Sequence, residues 1–202
     1  MNYSKTWDIL AKKEVLANRT AIIFFGIISG ITLTALGAFV RIPLPFTPVP
    51  ITLQTFFVLL LGAALGRKYG TVTQASYILL GALGMPIYAG ASFGLMHLAG
   101  PTGGYLIGFI AAAYLVGKLI NVGSRTPSKH LGFIRILGAM ILGSSIILLL
   151  GTVQLAFVMH LSWKQAIIAG FLPFIPGDII KSILAAGIYH RIQSRTLSLR
   201  GV

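Results

Sequence analysis

Residues 69–117 read YGTVTQASYILLGALGMPIYAGASFGLMHLAGPTGGYLIGFIAAAYLVG, forty-nine residues (69 through 117) without one Asp, Glu, Lys or Arg. A helix crossing a hydrocarbon core of roughly 30 Å needs only about 20 apolar residues, so this stretch is too long for one span and suits two. The expected pair runs from Thr71 to Ile87 and from Gly104 to Gly117, with the glycine-rich segment Tyr88 to Gly103 between them. Upstream, Arg67-Lys68 closes an apolar run from Ile51 to Leu65, and Arg19 and Arg41 bracket another from Ala21 to Val40. Downstream, the polar loop Asn121 to His130 leads to a run from Ile136 to Met159. Ser162 is placed to cap a short helix, and a last helix is expected from Asp178 to Arg191.

The pattern predicts an all-α integral membrane protein of six helices. One transmembrane domain, 20–192, carries polar tails at 1–19 and 193–202. A signal peptide ending near Ala38 would need an unusually long polar leader, so the first apolar run is read as a retained span.

Composition agrees. The 202 residues are 56% hydrophobic and 9% charged, against about 25% charged in soluble domains, and the mean hydropathy is +0.90. The net charge of +13 invites a nucleic-acid reading, but the basic residues sort by loop. With the N-terminus in the cytoplasm, thirteen of the sixteen fall on inner segments: Lys5, Lys12, Lys13, Arg19, Arg67, Lys68, Lys118, Arg125, Lys129, Arg135, Arg191, Arg195 and Arg200. Only Arg41, Lys164 and Lys181 remain outside or within the membrane. That is a topology signal and a contact for anionic lipid, with no nucleic-acid partner expected. The chain has no cysteine, which excludes disulfides, thiol catalysis and thiolate metal sites. It has no G-x-x-x-x-G-K-[ST], so it does not itself cradle ATP phosphates.

The same topology collects three proline- or glycine-rich segments at the outer end. Non-helical backbone at membrane depth survives where protein buries it or where it lines a cavity, so a recessed outward-facing pocket is expected. The chain holds three acidic residues, Asp8, Glu14 and Asp178, and only Asp178 lies in an apolar stretch. At about 1.5 Å per residue, Asp178 stands roughly 20 Å from Arg191, about two-thirds of the way across the core. Lys181 shares its helix face at i+3. Intramembrane charges cost roughly 2.5–3.5 kcal/mol each on insertion scales and so usually serve a function. Two readings stand side by side: a clamp in which Asp178 accepts ligand N–H groups while Lys181 donates, and an N-cap aspartate neutralised by a lysine.

Gln54, one turn after Pro50, either points its amide at a polar solute or bonds a neighbouring helix. Tyr77, Tyr88 and Tyr105 are candidates for aromatic walls, or are ordinary interfacial tyrosines. Gly90-Ala91-Ser92-Phe93-Gly94 matches G-x-S-x-G near His97, but a nucleophile elbow needs a strand–turn–helix context. An intramembrane serine protease would draw its histidine from another span, where only His160 and His190 are on offer. His97, His130, His160 and His190 show no metal-ligand spacing, and no metal or other cofactor is expected.

Three longer segments carry a resemblance: Arg41-Ile42-Pro43-Leu44-Pro45-Phe46-Thr47-Pro48-Val49-Pro50-Ile51-Thr52-Leu53-Gln54, Gly100-Pro101-Thr102-Gly103-Gly104-Tyr105-Leu106-Ile107-Gly108-Phe109, and Phe171-Leu172-Pro173-Phe174-Ile175-Pro176-Gly177-Asp178-Ile179-Ile180-Lys181. In order and spacing they resemble the BioY family, the biotin-specific substrate-capture (S) components of energy-coupling-factor (ECF) transporters. The resemblance covers about Gly30 to His190. It implies a six-helix S component of a prokaryotic cytoplasmic membrane that binds biotin from outside. Import would involve a transmembrane coupling subunit and two cytoplasmic ATPases, or the chain would work alone or as an oligomer. Asp178 and Lys181 would then line the biotin site, with the Tyr88 to Gly94 loop closing over it. Members often carry an arginine in that loop, where Ser92 stands here, leaving Lys181, Ser92 or backbone N–H groups for the ligand's carboxylate. The family's small-residue face on the first helix, used against the coupling subunit, would correspond to Gly26 and Gly30. The rival ligands are another vitamin or a precursor.

Overall fold

The computed structural model describes residues 3–121 and 132–198. In chain order these form α1 (Tyr3–Phe39), β1 (Arg41–Leu44), β2 (Thr47–Thr52), α2 (Gln54–Ala82), α3 (Leu95–Ala99), α4 (Gly103–Asn121), α5 (Phe133–Val158), α6 (Trp163–Gly170), a 3₁₀ turn (Leu172–Phe174) and α7 (Ile175–Ser198). Arg125, Lys129 and His130 of the expected inner loop, and Arg200 of the tail, lie outside the described residues. Helical backbone runs through both expected domain edges, at 20 and at 192.

The second and third expected spans are the two arms of α2. Gly66, at φ 74° and ψ 176°, interrupts the helix. In a continuous helix Gly62 and Gly70 would stand about 12 Å apart along the axis. Instead a Cβ on Gly70 would sit 3.0 Å from the Cα of Gly62. The chain therefore reverses at Gly66, a left-handed position that glycine adopts without a steric penalty. The arms, 54–65 and 67–82, rise about 18 Å and 24 Å. Among the described residues four segments are long and apolar enough to cross a membrane by themselves: Thr20–Phe39, Gly103–Ile120, Phe133–Val158 and Trp163–Arg195. Neither arm of α2 reaches that length alone, but two arms and four segments match the six expected helices in number and order.

The third span ends at Ala82, short of the expected Ile87. Gly84 takes φ +111°, and Pro86 can neither donate to a helix nor let its predecessor settle in the α region. The proline-rich segment avoids helix as expected but is a two-stranded antiparallel ribbon, pairing Arg41 with Thr52 and Ile42 with Ile51. Two strands alone are all edge, which is where prolines are tolerated. Leu53 N–H ties the ribbon to the end of α1 by donating to the carbonyls of Gly37 and Val40. Ser162 caps α6 in a reciprocal arrangement with Gln165, the capping box.

Helix α4 is the centre of the bundle, packed between α2 and α5. Small residues let it approach closely: a Cβ on Gly62 would come within 2.9 Å of the Ala113 Cα, and one on Gly108 within 2.8 Å of the Ile147 Cα. Replacing Gly108 by leucine is expected to lower the thermal stability of the purified protein by several degrees, because only backbone could yield. An unchanged unfolding temperature would show that the seam between α4 and α5 is looser than this. Gly26 and Gly30 are also engaged inside the bundle, against Leu65 and against Leu61 and Thr73 of α2. Among the described residues the surface that remains is strongly apolar, with Ile22 72% and Ile134 84% exposed, as suits a lipid-facing wall.

Candidate functional site

The last helix begins earlier than its sequence suggests. The 3₁₀ turn at Leu172–Phe174 passes directly into α7 at Ile175, so Pro176 occupies the first turn, where its missing N–H costs nothing. Asp178 thus stands inside α7 and is not its N-cap. Its carboxylate is buried and pairs with three side chains from three helices. Oδ1 accepts from Lys181 Nζ at 3.0 Å and from Thr55 Oγ1 at 3.3 Å, while Oδ2 accepts from Ser144 Oγ at 2.8 Å. Lys181 Nζ also donates to Thr55 Oγ1 at 3.1 Å. The ion pair is nearly enclosed, with side-chain exposures of 12% for Lys181 and 6% for Asp178. A carboxylate offers about four lone-pair sites and an ammonium three protons. The arrangement leaves one acceptor site on Oδ2 and one donor on Nζ.

Both groups line a recess whose empty space, its open mouth included, is about 540 Å³. Leu106, Phe109, Ile147, Leu148 and Phe174 form apolar walls, Val49 and Pro50 of β2 bring in the ribbon, and Gln54, Thr55, His97 and Thr102 complete the polar lining. An apolar cavity with a few convergent polar groups is the usual form of a small-molecule site. The ribbon, the segment 83–94 and α3 all meet at this one end; Arg67, Lys68 and Lys118 lie at the other end, where Gly117 abuts the backbone of Arg67.

The predicted residues divide into two layers. Asp178, Lys181, Gln54 and Tyr105 line the recess, whereas Tyr77, Tyr88 and Ser92 stand behind it. Gln54 Nε2 donates to the Tyr77 hydroxyl at 2.7 Å, and that hydroxyl donates to the Ile87 carbonyl at 2.7 Å. Tyr105 presents its ring to the recess while its hydroxyl donates to the Gly170 carbonyl at 2.6 Å. Tyr88 is fully buried, donates to the Ile78 carbonyl at 2.5 Å and stacks on His97 with ring centroids 5.2 Å apart. Ser92 donates to the Ala89 carbonyl at 2.9 Å and lies 3.4 Å from His97 Nε2, which has the Thr102 hydroxyl closer at 3.0 Å. With its proton on a carbonyl and, among the described residues, no carboxylate behind the imidazole, Ser92 lacks the geometry of an activated nucleophile. Burial pushes the His97 imidazole below its ordinary pKa, so it is neutral near pH 7.

Thr55, Ser144, Phe109, Phe174 and Thr102 are lining or supporting residues that sequence reasoning missed. Phe109, Phe174 and Thr102 lie inside quoted motifs, and Thr55 follows Gln54, so position offered a signal. Ser144 offered none. It is one of two adjacent serines, and its neighbour Ser145 bonds only the Ile141 carbonyl of its own helix.

The BioY family model matches residues 12–197. A biotin transporter BioY of Thermotoga maritima is 44% identical over 161 residues, covering 80% of this chain and 89% of that protein. A probable biotin transporter BioY of Pyrococcus horikoshii is 40% identical over 166 residues, 82% and 93% of the two chains. Among solved structures, the S-component for biotin from an ECF-type ABC transporter superposes with a TM-score of 0.81 at 29% identity, covering 88% of this chain and 93% of that one.

Proposed function

The chain belongs to the BioY family, and from that premise we propose that it captures biotin for uptake across a membrane as the S component of an ECF-type importer. It is a transport subunit and not an enzyme. The observation that carries the reading is the buried Asp178–Lys181 pair, with one free acceptor and one free donor facing an apolar, aromatic-walled recess. Biotin's ureido ring offers N–H donors beside a carbonyl, and its fused thioether ring and aliphatic chain suit the walls. Asp178 takes a ureido N–H and Lys181 the carbonyl. Tyr105, Phe109 and Phe174 pack the ring system, and Gln54 borders the head group. Tyr77, Tyr88 and Ser92 hold the segment 83–94 in place over the site.

Orientation follows from the basic residues: the recess opens outward, and both termini lie in the cytoplasm of a prokaryotic cell. The energy comes from a transmembrane coupling subunit and two cytoplasmic ATPases, since this chain has no phosphate-binding loop; operation alone or as an oligomer is the second arrangement. No cofactor is needed for capture.

The test is calorimetric titration of the purified chain in lipid nanodiscs with biotin, desthiobiotin, riboflavin and thiamine. Nanomolar binding of biotin, about −12 kcal/mol, is expected, with desthiobiotin weaker and the other two silent. Tighter binding of riboflavin or thiamine than of biotin would overturn the proposal.

A further inference from the structure

The head-group site is electrically closed. Asp178 and Lys181 neutralise each other at 3.0 Å, yet biotin carries a carboxylate at the far end of its aliphatic chain. A negative charge brought into a partly enclosed cavity needs a cation or several donors. Lys181 is committed to Asp178 and Thr55, Ser92 donates to Ala89, and His97 is neutral near pH 7. One cation remains. Arg41, the first residue of β1, lines a second groove of about 460 Å³ together with Pro43, Leu44 and Thr47. Pro50, Ala89, His97 and Thr102 line both this groove and the main recess, so the two spaces adjoin.

The Arg41 guanidinium lies over Gly90, in the space that a Cβ there would occupy. Gly90 itself has φ +77°, a conformation that side chains other than glycine rarely adopt. The segment 83–94 therefore makes room for an arginine arriving from the ribbon. Among the described residues Arg41 has no ion pair. Of the three acidic residues, Asp8 and Glu14 belong to the start of α1 and Asp178 already holds Lys181.

Resting on the biotin reading above, we propose that Arg41 binds the ligand's carboxylate at the mouth of the cavity and so selects the acid over its neutral derivatives. The ribbon thereby supplies the charge that Ser92 does not. The planar guanidinium matches a carboxylate with two parallel hydrogen bonds, and a ligand joining Arg41 to the Asp178 site also fastens the ribbon to the segment 83–94.

The experiment compares biotin with biotinamide on the wild-type chain, on Arg41→Gln and on Arg41→Lys, by calorimetry in nanodiscs. Arg41 is exposed, so neither substitution disturbs the core. The wild-type chain is expected to favour biotin by about 10- to 100-fold, the range of a charge-assisted hydrogen bond. Arg41→Gln brings biotin down to the level of biotinamide and changes biotinamide less than threefold, while Arg41→Lys recovers part of the preference. If Arg41→Gln keeps the full preference, or if the wild-type chain has none, Arg41 does not read the carboxylate although the biotin site stands. If neither compound binds the wild-type chain, the biotin reading itself fails, and this assignment with it.

Discussion

Asp178→Ala is expected to weaken biotin binding by more than about 2 kcal/mol, a loss of roughly 30-fold or greater, in a protein that still folds. The substitution removes the only carboxylate among three hydrogen-bonded partners. Lys181 is left nearly enclosed with Thr55 as its one remaining partner, and the Ser144 hydroxyl loses its acceptor. Two separate losses follow, one in stability and one in ligand recognition. They are resolved by a second variant, Asp178→Asn with Lys181→Met, which removes both charges while keeping similar volumes. Replacing a buried ion pair by neutral groups is often tolerated or even stabilising. The double variant should therefore recover thermal stability toward the wild-type value while binding stays lost. Biotin affinity within threefold of wild type in folded Asp178→Ala protein would show that the pair is structural only.

Asp178 and Lys181 were legible in the sequence because charge in an apolar run is expensive and stands out without knowledge of the fold. The spans were legible for a related reason: hydropathy is a one-dimensional property that the bilayer reads directly. What the sequence concealed depends on direction. Thr55 and Ser144 hold the carboxylate, but a hydroxyl in a membrane helix can always bond a carbonyl of its own preceding turn, as Thr32 and Ser145 do. Its presence therefore carries little information. The tyrosines were ambiguous in the same way, since a ring lining a cavity and a ring supporting the layer behind it look alike in sequence. The ribbon at Arg41–Thr52 was hidden for another reason. Its prolines excluded helix correctly but also mask strand alternation, and their tolerance depends on the ribbon having no third strand. Arg41 consequently read as a boundary charge at the end of the first span, and only the folded ribbon brings it over Gly90.

The second large effect is expected at Tyr88, which does not itself line the recess. The fully buried ring fills the space beside Gly81, where a Cβ would collide with it. It also meets Tyr77 edge-on with centroids 5.8 Å apart and stacks on His97. Other hydrogen bonds between the segment 83–94 and α2 run from Gly94 N–H to the Gly81 carbonyl, from Met85 N–H to the Leu80 carbonyl and from the Tyr77 hydroxyl to the Ile87 carbonyl, while Tyr88 and Ser92 form a bridge within the segment. Tyr88→Ala should therefore cost about 3 kcal/mol or more of local stability, the usual range for emptying an aromatic site. Because the segment carries Ala89 and Gly90 to the mouth of the cavity, biotin should dissociate at least 10-fold faster with little change in its association rate. Tyr88→Phe keeps the ring and loses only the bond to the Ile78 carbonyl, about 1 kcal/mol, so its affinity should stay within threefold of wild type. Surface plasmon resonance on nanodisc-embedded protein gives both rates. A Tyr88→Phe variant as impaired as Tyr88→Ala would place the hydroxyl in contact with ligand. A Tyr88→Ala variant with wild-type dissociation would mean that the segment 83–94 holds its place over the site without its tyrosine.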